Sequence, residues 1–155
     1  MPASRALSTQ PASFLLKLLV GFVAGFVATL LFHQPALALL TELGVAKASV
    51  YSMTSTGPLS VPQVVSLAFW GGVWGVLFAA IEGRFPRGAL YWICAILFGA
   101  IFPSLCAWFV VAPMKGLPVA AGWQASRMIT GLVINGAWGL GTALLLRFGY
   151  RISHG

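Results

Sequence analysis

Four long apolar runs, separated by short polar connectors, leave this chain few folds to choose from. The runs cover 14–33, 61–81, 89–112 and 121–146. At about 1.5 Å per residue, some twenty helical residues cross ~30 Å of hydrocarbon. The second and third runs carry no charge. The first holds Lys17, one turn inside its start, where its ammonium can snorkel to headgroups. The fourth holds Arg127. Strand-like alternation is missing, which argues against a β-barrel. The pattern predicts an all-α membrane protein with four transmembrane helices.

Composition points the same way. Of 155 residues, 59% are hydrophobic and 7% charged, against about a quarter charged in soluble domains. This excludes a disordered chain and an ordinary soluble enzyme domain. Nine Lys and Arg face two acids, Glu42 and Glu82, for a formal charge of +7. The basic residues are scattered at run ends, not gathered on one face, so nucleic acid is not an expected partner. Arg5, Lys17, Arg84, Arg87, Arg147 and Arg151 fall on one side, and Lys47, Lys115 and Arg127 on the other. That bias favours both termini on the cytoplasmic side, with the first and third connectors outside. Residues 1–13 are expected to be a mobile tail, 14–151 a single domain and 152–155 a short C-terminal tail. Ala36-Leu-Ala38 could be a signal-peptidase site, but the long run and the polar His33-Gln34-Pro35 favour an uncleaved helix.

The first connector is the longest. Pro35 to Leu43 reads as a short interfacial helix, with Pro at its first position and Gly44 beyond its end. Ser60, Pro62 and Gln63 form a start signal for the second span, with Ser60 as cap and Gln63 completing a capping box. Pro103 should kink the third span.

Small residues recur at helical spacing: Gly21 and Gly25; Ala68, Gly72, Gly75 and Ala79; Gly131, Asn135 and Gly139. Such stripes let backbones approach, within one bundle or between copies. There is also an internal echo. Gly72-Val-Trp-Gly75 matches Gly136-Ala-Trp-Gly139, and Gly21 and Pro35 match Gly99 and Pro113. The echo is either a duplicated hairpin or coincidence in a chain rich in Gly and Trp.

Polar groups inside apolar runs are costly and mark candidate sites. Thr29, His33, Gln34, Ser104 and Arg127 fall in the half of the runs nearer the first connector, Asn135 continues the Arg127 face about 12 Å deeper, and the six form a candidate polar pocket. Glu42, on the same side, could fold back to pair with Arg127, making the connector a lid. The alternatives are lipid anchoring for Arg127, corner capping for His33 and Gln34, and an interhelical hydrogen bond for Asn135. The chain has no Asp, and its two Glu are placed on opposite sides, so no carboxylate pair is expected. Cys94 and Cys106 are about 18 Å apart along a helix, too far for a disulfide or a shared metal. No catalytic, metal or cofactor motif is present, so no cofactor is expected and an enzyme is the least favoured class.

The stretches LFHQPALALL (31–40), GPLSVPQVVSLAFWGGVWGVLFA (57–79), FVVAPMKGLPVAAGW (109–123) and INGAWGLGTALLL (134–146) resemble small four-helix inner-membrane proteins of bacteria described only as uncharacterised. The W-G-x-x-W-G and N-G-x-W-G segments carry most of the resemblance. It implies a four-span inner-membrane layout and assigns no activity to any residue. The expected function is a non-enzymatic accessory or structural component of the membrane. The alternative is a small-solute or lipid transporter that acts as an oligomer through the polar pocket. The expected partners are the bilayer and either further copies or other membrane subunits.

Overall fold

The computed structural model describes residues 10–57 and 59–153. It is 79% helical, so the all-α expectation holds. Four helical stretches are long and apolar enough to cross a membrane: Phe14–Glu42, Gln63–Arg84, Ala89–Met114 and Ala125–Tyr150. They run up and down in turn. The 82–88 connector lies at the end where the first helix begins, here the tail end; connectors 43–62 and 115–124 lie at the loop end.

The first helix does not stop at His33. α1 (Gln10–Ala28) passes through a π turn (Thr29–His33) into α2 (Gln34–Glu42), with right-handed helical dihedrals across the joins. The reason lies in Pro35, which has no N–H and crowds the carbonyl one turn back. Opening one turn to the wider π spacing accommodates the ring and keeps the helix going. The segment expected as a separate short helix is therefore the last part of the first one. Gly44, just past its end, takes the left-handed conformation (φ 71°) and closes it.

α3 (Gln63–Ile81) starts at Gln63 without the capping box. Ser60 has φ 51° and does not cap. Instead β1 (Ser55–Thr56) pairs antiparallel with β2 (Val61–Pro62), which swings two carbonyls over the helix start. Gln63 N–H donates to Thr54 O (2.9 Å) and Val64 N–H to Ser52 O (3.0 Å). After a short turn, Glu82–Arg84, α4 (Ala89–Cys106) continues through Pro103 into a second π turn (Ala107–Val111) and α5 (Ala112–Met114). This π turn also ends just before a proline, Pro113. α6 (Ala125–Ser153) begins later than expected, because Ala120, Ala121, Gly122 and Trp123 all take positive φ, a left-handed turn. The expected tails are mostly outside the described residues: the first nine residues and the last two are not described, while Gln10 and Ser153 are already helical.

Three helix pairs build the bundle: α1 with α3, α4 with α6, and α1 with α6. The first two rest on glycine. A Cβ added at Gly25 would lie 2.9 Å from Gly75 Cα, and one at Gly99 would lie 2.8 Å from Gly139 Cα. Only residues without side chains let two backbones come this close. The fourth side, between α3 and α4, is filled by rings: Trp74 on Phe98 (6.2 Å) and Phe78 on Phe98 (5.4 Å), both edge to face.

Candidate functional site

The polar residues of the spans fall into three sets. The first follows from the π turn. Gln34 N–H is taken by Thr29 O, and position 35 has no N–H to offer, so Leu30 O lacks its usual helical donor. The Tyr51 hydroxyl fills that place at 2.6 Å. Tyr51 reaches back from the first connector in a left-handed conformation (φ 49°), and its own N–H donates to Gln34 Oε1 at 2.7 Å. Gln34 Nε2 faces His33 Nδ1 at 3.5 Å. Gln34 is 1% exposed and His33 9%. Tyr51 thus latches the connector onto the first helix. Sequence reasoning missed it, although the carbonyls that Pro35 leaves without donors were the signal that a nearby side chain must turn back.

Thr29 sits one turn deeper and bonds along its own helix, to Gly25 O at 3.0 Å. The same carbonyl accepts the Trp138 indole N–H from α6 at 2.9 Å. A Cβ at Gly71 would lie 3.2 Å from Trp138 Nε1. Three helices therefore meet at Gly25, Gly71 and Trp138.

The second set joins α4 to α6. Asn135 Nδ2 donates to Ser104 Oγ at 2.9 Å, and Ser104 Oγ–H donates to Gly131 O at 3.3 Å. Asn135 makes the expected interhelical bond. Neither residue has a hydrogen bond to Thr29, His33 or Gln34 among the described contacts, so the single pocket of the sequence reading divides in two. Arg127 joins neither half. It is exposed, as is Glu42, and among the described residues Lys17–Glu82 is the ion pair formed. The expected Glu42–Arg127 pair is absent because the helix carrying Glu42 runs straight on instead of folding over the bundle. The connector does fold back, but alongside the π turn, through Tyr51.

The third set was not foreseen. At the tail end Lys17 Nζ lies 3.2 Å from Glu82 Oε1, and the Tyr91 hydroxyl donates to Glu82 Oε2 at 3.0 Å. The Arg147 guanidinium lies over the Tyr91 ring, 3.9 Å from its centre, and 5.0 Å from that of Trp92. This clasp draws on all four membrane-length stretches. Lys17, expected to reach for headgroups, turns to Glu82 instead. The charges of one end of a bundle are natural partners, and that was the signal available.

Of the glycines expected to pack helices, Gly21, Gly25, Gly75 and Gly139 meet backbone of a neighbouring helix, while Gly72 meets the Phe22 ring and Gly131 the Trp108 ring. Gly71 and Gly99 are added to the backbone contacts. Cys94 and Cys106 are free thiols, and the described residues contain no group of three or more His, Cys, Asp or Glu able to hold a metal. Two open apolar hollows lie elsewhere. One, of about 340 Å³, is an open apolar groove around Gly136 between Ile96 and Leu132. The other, of about 150 Å³, lies between Val23 and Phe148.

Fold and site together define an all-α bundle of four membrane-length helices, zipped by glycine and tied by paired polar groups at both ends. No protein-family model, curated protein or solved structure matches the chain.

Proposed function

We propose that the protein is a multi-pass component of the bacterial inner membrane that works through helix packing, as a non-enzymatic accessory or structural subunit. The observation that carries this reading is how the bundle interior is used. Backbone meets backbone at Gly25–Gly75 and Gly99–Gly139, and the polar groups of the spans are hydrogen-bonded to protein neighbours at Thr29, Gln34, Ser104 and Asn135. A transporter calls for polar groups converging on a path past Asn135; here they divide into separate bonded sets.

Membrane insertion is supported by surface and by length. No more than 39% of any span's most apolar window is buried inside the bundle, so most of its apolar residues require an apolar solvent. Arg147 of the clasp and Arg127 are twenty residues apart on α6, about 30 Å, which is the thickness of the hydrocarbon layer. Arg127 then lies at the opposite boundary as a headgroup anchor, and the last residues of α2 reach the interface. Lys17, Arg84, Arg87 and Arg147 gather at the tail end, which is the cytoplasmic side by the positive-inside bias. The open groove around Gly136 offers a face for the helix of another copy or another subunit.

Topology is checked with single cysteines in a Cys94→Ala, Cys106→Ala background. Ser55→Cys should react with an impermeant maleimide in intact cells, and Arg87→Cys only after the membrane is opened. The reverse pattern rejects the orientation. Native mass spectrometry from mild detergent should show further copies or a stoichiometric partner; a lone chain moving solute in vesicles would reject the structural reading.

A further inference from the structure

The partners of the Tyr51 latch impose a chemical condition on it. The Gln34 amide has one acceptor, Oε1, and one donor group, Nε2. Tyr51 N–H can only donate, so its 2.7 Å contact fixes Oε1 toward the connector. Nε2 is then turned to His33 Nδ1, at a long 3.5 Å. That ring nitrogen receives a donor only while it carries no proton. An imidazolium has N–H at both ring positions, which sets donor against donor. Turning the amide over removes that conflict and creates another, Nε2–H against Tyr51 N–H. With Gln34 and His33 almost fully buried, little water is at hand to resolve either one.

Among the described residues no ion pair offsets this. The π turn packs on α6 and α3. On α6 the loop-end charge is Arg127, which is exposed, and α3 has no charged residue. Glu42, Lys47 and Lys115 at this end are exposed too, and none forms an ion pair among the described residues. Tyr51 is the titratable group that faces the site from the connector.

We infer that residues 47–51 form an acid-sensitive cap on the loop end, closed while His33 is neutral and loosened when His33 takes up a proton, because Gln34 cannot satisfy both Tyr51 N–H and an imidazolium. Proton uptake removes the Gln34 bond, leaves residues 47–51 on the Tyr51 hydroxyl between flanks pinned by Ala46 N–H on Leu40 O and by Val64 N–H on Ser52 O, and opens His33 and Gln34 to the outside. The sign follows from the geometry: the proton sets donor against donor only while the cap is closed, so acid favours the open form. Closure is complete at neutral pH and is lost as pH falls. Below the ordinary imidazole value of about 6.5, the open-to-closed ratio rises up to tenfold per pH unit. The inference does not depend on which side of a membrane the loop end faces, so it fails independently of the functional reading.

The test is a distance measurement between spin labels at Ser49→Cys and Gln124→Cys, in the Cys94→Ala, Cys106→Ala background, with the protein in phosphatidylcholine nanodiscs. Between about pH 8 and about pH 4.5, a range that spans imidazole titration, a second, broader distance population should grow in. His33→Gln should hold the closed distance throughout, and Tyr51→Phe should show the broad population already at the higher pH. An unchanged distribution in the protein that keeps His33 overturns the inference by itself. So does a pH response that survives in His33→Gln or, where that variant does not fold, in His33→Asn.

Discussion

Single atoms decide how the two halves of the bundle are tied. Trp138 is 2% exposed, and its indole N–H spans from α6 to Gly25 O. Trp138→Phe keeps most of the ring volume and removes that donor. The carbonyl keeps Thr29 Oγ1 as its second partner, so no acceptor is orphaned. The expected cost is about 1 kcal/mol, in the range of interhelical hydrogen bonds in membrane proteins, read as a small drop in thermal stability in detergent. A loss of several kcal/mol would mean that the indole does more than bond to Gly25. Trp138 lies in the stretch that echoes Trp74, yet Trp74 packs on Phe98 and Trp138 bonds to backbone. Sequence identity did not reveal that division of roles, because it depends on which helix stands opposite.

At the level of elements, glycine positions sort by what they face. A side chain at Gly75 would run into the backbone of Gly21 and Gly25, which cannot yield without moving a helix. A Cβ at Gly72 would lie 2.7 Å from Phe22 Cε2, and a ring can rotate away. Gly75→Ala should therefore cost clearly more than Gly72→Ala, with overpacking worth about 1–3 kcal/mol. Leu77→Ile, at an exposed position, should be nearly silent. Equal melting temperatures for the two alanine variants would count against this ordering. The stripe was legible as a period, and Ala68, Gly72, Gly75 and Ala79 are all buried; what the period did not show is that Gly71 also meets α1 backbone, while Gly72 meets the Phe22 ring. The hairpins echo each other in the same qualified way. Gly25 meets Gly75 as Gly99 meets Gly139, and a π turn precedes both Pro35 and Pro113. The contact and the proline are ten residues apart in the first hairpin and fourteen in the second, so the halves differ by about one helical turn.

For the whole molecule, the clasp is the feature that brings four helices to one point. Lys17 is 29% exposed and Glu82 12%, so water screens the pair in part. A cycle of Lys17→Met and Glu82→Gln should give a coupling of up to about 1 kcal/mol, measured by unfolding in detergent; strict additivity would show that the pair holds nothing together. The four apolar runs, their all-α character and their capacity to cross a membrane were fixed by composition and run length alone. Those are local properties: twenty apolar residues without charge are long enough for a span whatever their neighbours do. Helix ends and side-chain partners were decided only in three dimensions. Pro35 widened a turn instead of ending a helix, and a two-residue ribbon took over the start of α3 from Ser60. Lys17 turned from its expected headgroups to Glu82, while Arg127 was left without Glu42. Polar groups bond to whatever the packing of the apolar surface brings within reach, and glycine contacts set that packing from residues far apart in the chain.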